Sequence, residues 1–264
     1  MVLTLDQYLK NPQGKGSVTA NVMQWKKEYD PRYERLLDKH KEFEVVVYKA
    51  SGGDRYYIHV RVPSETYDNV VYDVVLKVEK KGLVSDGSII DWPLKAISNS
   101  PSFVYTYENV FKRNKLLVEE LRHLLPDETY REKPVIRNPH SIVGFEKSIY
   151  YAARYVMKKF KYLKSLDNVA IRFNISQLKS AFVDFDKIMA QINKAKAKRV
   201  EENKKERARL KQKKQRNVYR TAANTNLPPT EQKISHNAKI VERNSNRIKP
   251  KASTTNRIKP KKKI

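Results

Sequence analysis

The sequence predicts an α+β fold: a small antiparallel β-meander packed with several helices, then a long basic helix and a disordered basic tail. Three patterns predict it. A period of two runs through residues 42–80, a period near 3.6 runs through several later segments, and the positive charge gathers at one end.

Residues 1–41 form an N-terminal helical and loop segment. Asn11 to Gly16 reads as a loop, since Pro12, Gly14 and Gly16 break both regular periods. Helices are expected around Val18–Tyr29, with Ser17 as cap, and around Arg32–Lys41. Asp30-Pro31 separates them, placing proline in the first turn of the second.

Residues 42–80 form the meander. Phe43, Val45 and Val47 alternate with Glu44, Val46 and Tyr48. The Ser51–Asp54 run, with Gly52 and Gly53, is a hairpin turn, because tight hairpin connections need positive φ. Tyr56, Ile58, Val60 and Val62 then alternate with Tyr57, His59 and Arg61, and Pro63 closes the strand. Val70, Tyr72, Val74, Leu76 and Val78 make a third strand, with Asp73, Lys77 and Glu79 opposite. Such a sheet has one apolar face that the following helices must cover.

Residues 81–170 supply that cover as the helical part of the same core domain. Lys81-Gly82 and Ser85–Gly87 mark a break, and Ile89–Ile97 is a short apolar stretch containing Trp92-Pro93. Val104, Tyr107, Phe111, Val118, Leu121 and Leu125 recur at helical spacing, so one helix is expected over Phe103–Leu125, ended by Pro126. Two prolines make Lys133–Pro139 an extended linker. Ser141 would cap a helix over Val143–Leu163, whose stripe is Phe145, Ile149, Ala152, Ala153, Val156 and Phe160.

Residues 171–218 read as an amphipathic helix that becomes basic. Leu178, Phe182, Phe185, Ile188, Met189 and Ile192 give its apolar face. Asn193–Val218 then has neither Gly nor Pro and is rich in good helix formers, with Val200 and Leu210 as the large apolar residues inside it. It is either a solvated extension or a helix that forms on a partner. Residues 219–264 are expected to be disordered. Asn246-Arg-Ile-Lys-Pro-Lys251 recurs there as Asn256-Arg-Ile-Lys-Pro-Lys261, too short for a structural repeat and suited to a linear motif used twice.

Charge separates these parts. The chain carries +26 overall, yet Gln191–Ile264 holds 24 Lys plus Arg against 5 Glu, a net of +19, which leaves +7 for the first 190 residues. Solubility needs far less, so the end is suited to a polyanion, where each neutralised phosphate releases counterions. The residues expected to meet nucleic acid are Lys194, Lys196, Lys198, Arg199, Lys204, Lys205, Arg207, Arg209, Lys211, Lys213, Lys214, Arg216 and Arg220 on the helix. In the tail they are Arg247, Lys249, Lys251, Arg257, Lys259, Lys261, Lys262 and Lys263. DNA, RNA and an acidic protein all remain open as the polyanion.

No catalytic set accompanies this charge. The chain has no cysteine, which excludes disulfides, thiolate metal sites and a Cys nucleophile. No two of His40, His59, His123, His140 and His236 stand at metal-ligand spacing. Asp184 and Asp186 fall on different helical faces, and Walker, dinucleotide-binding and Gly-x-Ser-x-Gly patterns are lacking. No enzyme, cofactor or metal is therefore expected. No apolar run approaches the roughly 20 residues that span a bilayer, and the N-terminal residues do not resemble a signal peptide, so no membrane partner is expected.

Two stretches carry a resemblance. Asp91–Phe111 and Arg137–Tyr151 resemble uncharacterised proteins from structural gene blocks of tailed bacteriophages. The resemblance transfers no site residue. It implies a non-enzymatic virion structural or assembly protein, made in the host cytoplasm. The folded domain would dock on a protein partner while the tail contacts nucleic acid, DNA in a virion. The alternative is a free DNA- or RNA-binding regulatory protein whose Tyr57, His59 and Arg61 stack on or contact bases. A metal-dependent nuclease with scattered acids is a third class, to which no motif points.

Overall fold

The computed structural model describes residues 2–12, 20–51, 54–80, 88–128, 143–172 and 174–224. The chain divides into two compact units, Met1–Lys198 and Arg199–Ile264. The fold is α+β. Its first unit is built on a five-stranded sheet of order β4-β3-β2-β1-β5. The strands are β1 (Glu44–Lys49), β2 (Arg55–Pro63), β3 (Val71–Glu79), β4 (Leu94–Ser98) and β5 (Ala170–Arg172). β1 to β4 pair antiparallel in sequence order, and β5 returns parallel to β1.

The meander is present where alternation places it, flanked by two strands the sequence reading lacks. β4 overlaps the apolar stretch that ends at Ile97 and runs one residue past it, and β5 is three residues long. Neither is long enough to display a period of two.

Both sheet faces are covered, not one. Tyr56, Ile58, Val60, Val74 and Leu76 are fully buried on the first face, beneath α4 (Lys147–Phe160), which packs on β2, β3 and β4 and against α1 (Leu5–Lys10). On the second face Tyr57, His59, Asp73 and Lys77 are buried as well. A 3₁₀ segment, Glu119–Leu124, covers Tyr57 and Lys77, its Glu120 accepting from the Tyr57 hydroxyl at 2.9 Å and from the Lys77 ammonium, while Asp73 is met by the chain at Val183.

The helices differ from expectation at two places. α2 (Ala20–His40) runs unbroken with Pro31 inside it. Proline costs one backbone hydrogen bond there. Packing outweighs the loss: Tyr33 and Leu36 are buried, Arg154 of α4 bonds Asp30 and Glu34, and Tyr150 bonds Asp30. The single helix over Phe103–Leu125 is instead three pieces: a π turn (Phe103–Tyr107), α3 (Glu108–Arg113) and the 3₁₀ segment. Lys115 turns left-handed at φ 59° between the last two. The chain then runs beside β4, with Ala96 N donating to Leu116 O and Val118 N to Ala96 O. The backbone partners of a helix have been exchanged for those of a strand edge.

α4 begins at Lys147, capped by Glu146 and not by Ser141; Ser141, like Ser17 and the Lys133–Pro139 linker, lies outside the described residues. The amphipathic segment expected as one helix is α5 (Ile175–Ala181) and α6 (Phe185–Asn224), parted at Phe182.

Candidate nucleic-acid interface

α6 is one helix with two characters. Its first turns belong to the core. Phe185, Ile188 and Ile192 are buried, with Ile188 and Ile192 against Val70 and the half-buried Tyr67 and Tyr72. The turn before it is clamped to the sheet at both polar atoms of Val183. Asp73 Oδ2 accepts from Val183 N at 2.9 Å, and Asn99 Nδ2 donates to Val183 O at 2.8 Å. Asp73 also holds His59 Nε2 at 2.8 Å through its other oxygen, so a carboxylate 1% exposed is saturated. Buried charge costs heavily unless paired this way.

From Lys196 to Asn217 every residue of α6 is exposed. α6 carries Lys194, Lys196, Lys198, Arg199, Lys204, Lys205, Arg207, Arg209, Lys211, Lys213, Lys214 and Arg216. At 1.5 Å per residue the run from Lys194 to Asn224 is about 45 Å long. Its carboxylates sit early, where Glu201 reaches Lys205 at 3.8 Å. Between Arg207 and Asn217 stand six cations and no carboxylate. Arg220 lies on the helix backbone, which continues to Asn224 and so passes the expected end at 218. Arg247, Lys249, Lys251, Arg257, Lys259, Lys261, Lys262 and Lys263, with both copies of the repeated motif, lie outside the described residues.

The sheet side chains proposed to contact bases are arranged otherwise. Tyr57 is buried under the Lys77 ammonium, 5.3 Å from its ring centroid, and its hydroxyl is pushed up by burial first and by Glu120 second. His59 is buried against Asp73. Arg61 alone of the three is exposed, and it pairs with Glu44 at 2.9 Å. No aromatic face is offered there for stacking.

A polar interior joins α4 to the sheet. Glu146 is 1% exposed and accepts from Ile149 N at 2.8 Å, from Ser100 Oγ at 3.0 Å and from Ser148 Oγ. Burial pushes its carboxyl up, and those donors oppose the shift. Glu65 nearby bonds the Tyr151 hydroxyl and Lys147. Burial acts against its ionisation, but the two donors prevail and hold it below the usual carboxylate range. Both acids border a cavity of about 360 Å³. Their oxygens are occupied with holding the helix start, so the cluster reads as structure. The sequence signal for it was available: an Asp amid an apolar strand, and a Glu three residues before an apolar helix turn, must each find partners.

Among the described residues no group of three or more His, Cys, Asp or Glu is placed to hold a metal, and no helix is long and apolar enough to cross a membrane. No family model, curated protein or solved structure matches the chain.

Proposed function

We propose that this chain is a non-enzymatic structural or assembly protein of a virion, whose folded domain docks on a protein partner and whose basic C-terminal arm contacts DNA. One observation carries the reading: an exposed cationic rod continues a helix whose first turns are built into the core of the domain. Affinity then resides in the arm and location in the domain. The virion setting rests on the resemblance of residues 91–111 and 137–151. The described part of those stretches is largely buried, which suits kinship of fold more than of site. For docking, the domain offers the sheet edge at β5, on which no further strand lies among the described residues; Ile171 in it is exposed, as are Val169, Tyr162 and Leu163 shortly before it. The opposite edge, β4, is covered by residues 116–118. A free regulatory factor reading bases through the sheet finds no support in the buried Tyr57 and His59.

The test is affinity for duplex DNA against salt, full chain beside a chain ended after Lys198. Ending it near Val169 instead would remove buried Leu178, Phe182, Phe185, Ile188 and Ile192 and damage the domain itself. A log–log slope near −0.9 per phosphate contacted is expected for the full chain, collapsing in the shortened one. Equal, salt-indifferent binding by both would refute the proposal.

A further inference from the structure

The cations of α6 are not scattered around it. At about 100° per residue, Lys204, Arg207, Lys211 and Lys214 fall in one stripe along the helix. Lys205, Arg209, Lys213 and Arg216 fall in a second. The two stripes face away from each other, about 180° apart by the same geometry. Between them, from Arg207 onward, one face carries Ala208, Gln212 and Gln215, and the other Leu210 and Asn217. All these side chains are exposed, and Glu201 reaches Lys205 from one turn earlier.

We propose that this segment occupies the major groove of duplex DNA, one cationic stripe against each phosphate wall and an uncharged face toward the floor. The inference rests on the DNA-binding reading above and names its geometry. An acidic protein face or a membrane surface meets a helix from one side and needs one stripe. A groove meets it from two sides at once, and its walls are the two phosphodiester strands. A helix is about 10–12 Å across with its side chains, and the B-form major groove is about 12 Å wide. The A-form major groove is too narrow to admit it. Single strands are bound chiefly by stacking on aromatics, and residues 194–217 contain none. Recognition would be carried by phosphates, with little dependence on base sequence.

The experiment uses the full chain in two fourfold variants. One carries K204Q, R207Q, K211Q and K214Q; the other carries K205Q, R209Q, K213Q and R216Q. Circular dichroism checks that each keeps the wild-type helix content. Probes are a duplex DNA of about 24 base pairs, the matching duplex RNA, one DNA strand and heparin. Each variant is expected to flatten the salt slope on duplex DNA by about 3 to 4, and the two losses should be alike. Methyl green, which fills the major groove, should compete, and netropsin, which fills the minor groove, should not. Loss confined to one variant would overturn the inference, because it describes a helix lying on a surface. Equal binding of duplex RNA, single strand and heparin would overturn it too while leaving the arm a polyanion binder. No salt-dependent binding of any probe by the wild type would bring down both readings.

Discussion

The sheet domain and the distal half of α6 treat charge in opposite ways. In the domain, the buried ions are few and are matched to named partners. Glu108 and Arg122, both nearly inaccessible, meet at 2.9 Å, and Asp73 binds His59 on β2, Asn99 just past β4 and the Val183 amide between α5 and α6. Residues 199–217 carry nine cations and three carboxylates, all exposed. A matched buried charge selects one arrangement of the chain, because every alternative leaves it unpaired. A surplus of exposed like charge selects nothing internally and destabilises slightly by repulsion. It acquires value only against something of opposite sign. The first pattern specifies a fold; under the proposed function the second recruits a partner.

Substitutions can break this contrast, and their effects on stability should fall steeply from one region to the other. Asp73→Ala should cost the most, about 3–5 kcal/mol in urea denaturation, because it strands His59, Asn99 and the Val183 amide in a dry interior. Ile192→Ala should cost about 2–4 kcal/mol, near the usual range for an apolar truncation in a core. It should also lower the helical signal, since it loosens the start of α6. If Ile192→Ala were silent in both, the helix would not be rooted in the domain.

Glu146→Gln should be nearly neutral at acid pH and favourable at neutral pH. The sign follows from burial, which raises the Glu146 carboxyl above its ordinary value of 4.5. The folded state therefore binds the proton more tightly than the unfolded one, and stability rises as pH falls from neutral through the folded pKa. Gln keeps an acceptor for Ile149 N and removes the buried charge, so the variant's stability should be flatter between neutral pH and 4.5. Glu65 and Asp167 act in the other direction and lower down. Lys49 and Tyr56 hold Asp167 at about 2, so these acids lose their contribution only as pH falls below their ordinary values. A stability profile of wild type against variant separates the two windows.

Arg207, Arg209 and Lys211 replaced together by Gln mark the far end of the series. Stability should change by less than about 0.5 kcal/mol, as for exposed sites generally. The salt slope on duplex DNA should nevertheless flatten by about 3. A large loss of stability would mean that the arm is part of the fold.

Legibility in the sequence followed from how much of an element's pattern is local. β1, β2 and β3 show alternation over enough residues to be read directly, and the stripe of α4 was visible from Phe145 to Phe160. β4 and β5 were not, since three to five residues carry no period and their identity comes from the neighbour they pair with. The break at Lys115 was hidden for a different reason. Leu116, Leu117 and Val118 are buried beside β4, so burial continued across the break and preserved a helical spacing in which no helix exists. Pro31 misled in reverse, because a strong local signal was outweighed by packing of α2 on α4. The second covered face of the sheet depended on Glu120 and Val183, which lie 63 and 110 residues from their partners Tyr57 and Asp73. The basic run of α6 needed no such partner and was plain, whereas the division of its cations into two stripes appears only once the helix is continuous.

That continuity has a consequence for how the arm works. Starting a helix is the unfavourable step, with an equilibrium factor on the order of 10⁻³, while each added residue is close to neutral. A polar, like-charged peptide would seldom begin one alone in water. Here Phe185, Ile188 and Ile192 form the first turns as part of the core, and the basic run inherits a nucleus that has already been made. The basic run therefore needs no nucleus of its own, and under the proposed function the cations would be in register before any anion is met.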